Sequence, residues 1–394
     1  MKNKCVAVLD IRSNEITFLL GSRGVNGTFV FNGIQSERYE GYCLDGFFDE
    51  GSFQRAAMRV ISAVQQTYQG VIEEIHVGVP SSFVSVKTKG HTASFNRKRR
   101  VSQQDVEALY ESGKNDLLAS GECIRKSAMY FALGDNRKYF SAKDLYAVPT
   151  NMLKGALCYY FVGDYFYGLI TTLLQNMGFQ KIKFIPSTLA QAYYLLPEKK
   201  REGYAFLLDV GFMTSSISVV YGNGIVHEES FDCGVASILV QLIQHLNIDY
   251  PVAEELLANA NISGGIVPKD MAYISEIDEK SFPVQKVNDI IKYALDELCE
   301  RVDLFLRTYY KDKTSMMMSV NPISVTGEGI SAIKGGAEHI AKRISWLTEI
   351  VYPDLPYYDK PMCSSRIALL STALSDQTEN WLEKIMNILG GIKK

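Results

Sequence analysis

The stretch "LLDVGFMTSSISVVYGNG", residues 207 to 224, decides the reading of this chain. An apolar run ends in Asp209, then Gly211 and the hydroxyls of Thr214, Ser215 and Ser216 interrupt it, and an alternating strand closes in a tight Gly turn. Polar groups in a buried strand pair are costly unless they face something polar. An earlier stretch, "VAVLDIRSNEITFLLGSRGVNG" at 6 to 27, has the same plan, with Asp10, Arg12, Ser13 and Asn14 at the interruption. Two copies of one design imply two halves facing a shared site.

The pattern around these stretches gives a mixed α/β chain. "KCVAVLD", "EITFLLG" and "GTFVFNGI" read as three strands, residues 50 to 68 as a helix, and "IEEIHVGVP" as a further strand. From 82 to 162 the pattern changes to a small α+β insertion, with a strand hairpin expected around "FVSVKTKGHTASF" and a helix starting at Ser102. Helices at 165 to 177 and 187 to 196 flank the strand "KIKFIP", and "PISVTGEGI" is a strand running into a Gly turn. The expected organisation is a first lobe beginning in 1–81, the insertion at 82–162, the rest of that lobe and a second lobe in 163–374, and a closing helix in 375–394.

A chain of 394 residues with 47% hydrophobic and 22% charged residues is long enough for two or more domains with full cores. A net charge of -3 gives no general pull toward nucleic acid, so no nucleic-acid partner is expected. Seven scattered Cys without a Cys-x-x-Cys pair read as reduced thiols of a cytoplasmic protein, and the start reads as neither secretion signal nor membrane span.

Backbone N–H groups in tight turns, hydroxyls and close-approach glycines hold phosphates, and acids at strand ends serve a hydrated Mg²⁺. Asp10 and Asp209 are placed for that metal role through water. The alternative for either acid is a residue capping its own turn.

The two Asp loops together with "VTGEGISAIKGG" resemble the two phosphate motifs and the adenosine motif of the actin, sugar kinase and Hsp70 superfamily. Within it the chain is most similar to the FtsA family of bacterial cell division. "GFQKIKFIPSTLAQAYYLL", "FDCGVASILVQLIQHLNIDYPVAEELL" and, in the insertion, "RRVSQQDVEAL" carry that likeness. The resemblance implies an actin-like two-lobed fold with an inserted 1C-like domain, and ATP with Mg²⁺ between the lobes. It also implies polymerisation and tethering of an FtsZ-like filament protein to the inner face of the cytoplasmic membrane. Carried onto this sequence, the nucleotide site would comprise Asp10, Arg12, Ser13, Asn14, Asp209, Gly211, Thr214, Ser215, Gly234, Glu254, Gly327, Glu328, Gly329 and Ser331.

The departures are informative. The family's Asp-Ile-Gly-Thr-Thr becomes Asp10-Ile11-Arg12-Ser13-Asn14, and Phe212 and Met213 replace two glycines of the second loop. Ser216 and Gln241 stand where acids are usual, Val235 replaces a Gly, and Leu257 replaces the Lys of Ala-Glu-x-x-Lys. Thr326, Gly327, Gly329, Gly335 and Gly336 keep the adenosine motif. Arg12 can hold phosphates in a bidentate fork, or can occupy the phosphate position itself by pairing with Asp10 or Asp209.

Lys87, Lys89, Arg97, Lys98, Arg99 and Arg100 form a basic run, read either as a solvated segment or as a patch for an acidic partner. At the C-terminus Trp381, Leu382, Ile385, Met386 and Leu389 share one helical face, as in the membrane helix of FtsA-like proteins, with packing on the protein as the alternative. A pilus-assembly adaptor related to FtsA and a small-molecule kinase of the superfamily are the other roles open to this fold. No Gly-x-Ser-x-Gly elbow and no paired His spacing supports triad or metal hydrolysis.

Overall fold

The computed structural model describes residues 5–117, 120–146, 148–265, 268, 270–309 and 321–391, with backbone alone for 379–391. Val6–Ile11 is buried at every position, because both faces of its sheet are covered. It pairs antiparallel with Glu15–Arg23, which pairs antiparallel with Phe29–Arg38; on its other side lie Glu74–Val79 and then Lys181–Pro186, both parallel. Helix Glu50–Thr67 starts where the Asp49 carboxylate accepts from the Gly51 N–H at 2.8 Å. Its Phe53, Ala57, Val60 and Ile61 pack with Phe166 and Ile170 of helix Asp164–Asn176 to form the core of one face.

The second lobe repeats this plan. Tyr204–Val210 pairs antiparallel with Ser215–Tyr221 and then Gly224–Phe231, and Ile323–Thr326 and Thr348–Ile350 follow in parallel on the other side. Helices Val235–Leu246, Tyr250–Asn259, Val284–Tyr309 and Gly336–Ile344 cover one face through a single apolar core. Helix Ser187–Leu195 lies between the lobes. Its Ala190 packs with Val6, Val8 and Leu369 on the first sheet, while Ala192 packs with Ala205, Leu207 and Val220 on the second.

The insertion is a four-stranded sheet in the order Val84–Arg100, Pro149–Val162, Glu122–Leu133, Lys138–Tyr139, with helix Gln103–Asn115 against it. The expected capping signal at Ser102 is present as a full box, with Asp105 returning a bond to the Ser102 N–H. The expected hairpin at 83–95 is absent. Gly90, near the middle of that stretch, stays extended and pairs with Ala156, because Met152–Val162 supplies a continuous ladder along Val84–Ser94.

The chain closes in one helix, Ser364–Gly391, whose Ala368, Leu369, Leu370 and Ala373 pack with Val6, Val8, Leu19 and Ala190 in the core on the first sheet's other face. Its backbone runs on through Trp381 with no intervening linker. The side chains of Trp381, Leu382, Ile385, Met386 and Leu389 lie outside the described residues. Among the described residues no helix is long and apolar enough to cross a membrane.

Candidate functional site: an ion pair between the two Asp loops

Asp10 and Asp209 are each the next-to-last residue of the first strand of their sheets, so pseudo-repetition brings their loops face to face. The Arg12 N–H donates to the Glu15 carbonyl at 2.8 Å, which tightens the first turn and sends the Arg12 side chain toward the other lobe. There Nη1 and Nη2 donate to the two carboxylate oxygens of Asp209 at 2.7 and 2.8 Å. Gln191, from the helix between the lobes, adds a third donor to Asp209 at 2.9 Å. The side chains of Arg12 and Asp209 are 16% and 8% exposed, so little water competes with this fork. Burial pushes the Asp209 carboxyl up, but the charge and hydrogen bonds of Arg12 outweigh it and leave the group below its ordinary range.

A second bond joins the loops, and others hold the first loop to its own lobe. The Met213 N–H donates to Ser13 Oγ at 2.9 Å, and the Asn14 and Ser13 carbonyls accept from the Tyr39 and Tyr42 N–H groups, each at 3.1 Å. Beside them Ser215 gives its hydroxyl to the Cys233 carbonyl. The gap left around Arg12, Ser13, Ser187, Gln191, Asp209 and Thr214 is about 20 Å³. That is room for about one water molecule. Ser187 Oγ and Gln191 Oε1 are buried without a protein partner and are suited to bind it.

Several N–H donors that a phosphate would use are already turned inward. At the start of helix Val235–Leu246, next to Gly234, the Val235 and Ala236 N–H groups donate to the carbonyls of Gly211 and Phe212 at 3.2 and 2.8 Å. The acids do not fit a metal in this arrangement either. Asp209 is held by Arg12 and Gln191, and Asp10 accepts from Ser365 Oγ at 2.6 Å. Burial raises the Asp10 carboxyl despite the lowering effects of Arg12, Arg366 and Ser365, which disfavours the charged form that Mg²⁺ requires.

The third motif is also tied inward. Thr326 Oγ1 donates to Ser364 Oγ at 2.7 Å, Glu328 accepts from the Phe212 N–H at 2.9 Å, and Ser331 Oγ accepts from the Met362 N–H at 3.2 Å. A Cβ on Gly329 would stand 2.6 Å from Val210 Cγ1, so this turn is packed on the Asp209 strand. Glu254 stands apart at the rim. It accepts from Tyr250 at 2.8 Å and from Arg38 of the first lobe at 3.4 Å, an exposed pair of little energetic weight.

Three contributors were not singled out from the sequence: Gln191, Ser365 and Glu228. Gln191 carried a faint signal, as a polar residue in the otherwise apolar "LAQAYYLL". Burial pushes the Glu228 carboxyl up to about 7, Thr188 partly opposes this, and Glu228 Oε1 has no protein partner. A carboxyl raised above its unfolded value contributes full stability in acid and loses it as pH rises toward 7 and beyond. Glu228→Gln is therefore expected to be nearly neutral at pH 4 and to stabilise the protein at pH 8 by up to about 3 kcal/mol, as read by denaturant unfolding. Equal effects at both pH values would show that Glu228 does not titrate in this way.

No family model matches this sequence, and no curated protein matches it. Solved structures do resemble it. The PilM-PilN type IV pilus biogenesis complex superposes with a TM-score of 0.59 at 12% identity, covering 94% of this chain and 98% of that one. MreB 5 of Spiroplasma citri bound to AMPPNP gives 0.56 at 8% identity, covering 98% and 99%. The ethanolamine utilization protein EutJ of Carboxydothermus hydrogenoformans gives 0.51 at 9%, covering 95% and 90%. The chain thus has the actin-like two-lobed fold, with its inserted α+β domain.

Proposed function

We propose that this chain is an actin-fold adaptor that works by holding protein partners and does not turn over ATP. The observation that carries this reading is the bidentate Arg12–Asp209 pair, which fills the space between the two phosphate-type loops. An enzyme of the superfamily must open that space to a nucleotide and a metal. This chain uses the same groups to fasten its lobes together. Titration of Mg·ATP into the native protein should give no saturable binding below millimolar concentration and no phosphate release. Rapid Mg²⁺-dependent release of phosphate would overturn the reading.

Two assembly roles suit such an adaptor: tethering an FtsZ-like filament, expected from the sequence, and pilus assembly. The likeness to PilM in its complex with PilN favours the second. The unbroken helix from the core through Trp381 also differs from the linker-borne membrane helix of FtsA-like proteins. In this reading the protein still sits at the inner membrane face, with Trp381, Leu382, Ile385, Met386 and Leu389 as the lipid-facing side. Trp381→Glu should then abolish sedimentation with anionic vesicles while leaving the protein folded. Equal sedimentation of native and variant protein would remove the membrane from the proposal, and affinity capture recovering an FtsZ-like protein without pilus components would restore the division role.

A further inference from the structure

The inserted domain ends on one side in an unusually long free strand. Val84–Arg100 has 17 residues and pairs only with Pro149–Val162, so among the described residues its other backbone edge joins no strand. Edge strands are ordinarily about 5 or 6 residues long, because an open ladder recruits other chains, whereas here Val84–Ser94 is paired residue by residue before the register shifts between Ser94 and Arg99. Here the central part carries only short side chains on its exposed face: Thr88, Gly90, Thr92, Ser94 and Asn96. A Cβ at Gly90 would meet nothing within 4 Å. The alternate residues Ala93 and Phe95 pack against the domain core and fix which face of the strand is turned outward.

The charge on this edge is of one sign and only partly compensated. Arg99 is paired with Asp105 and lies 4.0 Å over the Phe95 ring, and Lys89 lies 3.9 Å from Asp116. Lys87, Arg97, Lys98 and Arg100 are exposed, and among the described residues none has an acidic partner within ion-pair distance. Charge alone would serve to keep other strands away. A free ladder with small side chains at its centre and unpaired cations at both ends is instead complementary to one kind of ligand. We infer that the Val84–Arg100 edge captures an extended acidic peptide segment of a partner protein as an added strand. Main-chain bonds supply the ladder, and the cations select the sequence. The inference is independent of the nucleotide reading, since no residue of the Asp loops takes part.

The test uses the full chain and a fluorescein-labelled peptide of alternating Glu and Val, about 10 residues long, the span of a strand. Saturable binding that weakens with salt is expected, with slowed amide exchange in Val84–Arg100. The triple substitution Lys87→Glu, Arg97→Glu, Lys98→Glu should weaken binding roughly tenfold or more, since several exposed ion pairs are reversed. The same peptide N-methylated at alternate residues keeps its charge but cannot pair, and it should not bind the native protein. No binding by the unmodified peptide, or equal binding by the methylated one, would sink the inference. So would anionic vesicles or duplex DNA protecting this strand more strongly than the peptide does.

Discussion

Replacing Arg12 by Gly should cost about 3 to 5 kcal/mol of stability at pH 7 without nucleotide, because it leaves a buried carboxylate with its charge uncompensated. Asp209 is only 6% exposed, and Gln191 alone would remain as side-chain donor to it. The loss should depend on pH. In the native protein the depressed Asp209 carboxyl contributes stability above the ordinary carboxylate range, and that stability is lost as pH falls through its folded value. In the variant the unpaired carboxyl would titrate higher, so acid relieves it. The gap between the two proteins should therefore be widest near neutrality and narrow toward pH 4. The same variant should gain Mg·ATP binding, seen as a rise in Tm with added Mg·ATP that the native protein does not show. Were Arg12 a phosphate ligand, Gly would weaken binding by removing a charge-assisted bond. A loss below about 1 kcal/mol, or ATP affinity lower in the variant than in the native chain, would contradict the role assigned to this pair.

The legible part of this protein was whatever the chain repeats. Asp10 and Asp209 stood out because each interrupts an apolar run with the same polar plan, and the sheets do place both at equivalent strand ends. Arg12 was visible as an intruder in a Gly position, yet the sequence left two uses for it open. Which carboxylate it meets depends on a contact 197 residues away in the chain, and no local pattern encodes that. Ser365 is hidden for the same reason, since its bond to Asp10 spans 355 residues. The missed long strand has a different cause. Gly90 carries the local signature of a turn, but a ladder with Pro149–Val162 overrides it, as tertiary pairing commonly overrides propensity. The Gly turn at 327 has the sequence of an adenosine motif, while the structure shows how closely it bears on Asp209.

That closeness makes Gly327→Ala the other change with a large expected effect. Gly327 has φ 101° and ψ 170°, a region essentially confined to Gly, so any side chain there costs about 1 to 3 kcal/mol in backbone strain. An added Cβ would also stand 2.2 Å from Asp209 Oδ1 and 2.4 Å from the Val210 carbonyl oxygen. Neither can yield cheaply, because Asp209 is clasped by Arg12 and the Val210 carbonyl belongs to a buried strand end. Overpacking of this kind adds about 1 to 3 kcal/mol, so the substitution should cost about 2 to 6 kcal/mol in all. The methyl acts by pushing the Asp209 carboxylate off the guanidinium, which is the contact that Arg12→Gly removes outright. Once Arg12 is gone, Asp209 is free to move aside, and the alanine should then cost less. Denaturant unfolding of the two single variants and the double variant should show a coupling of about 1 kcal/mol or more, within the range found for residues that share a partner. Costs that add to within about 0.5 kcal/mol would mean that Gly327 is needed only for its backbone angles and has no part in holding the two lobes together.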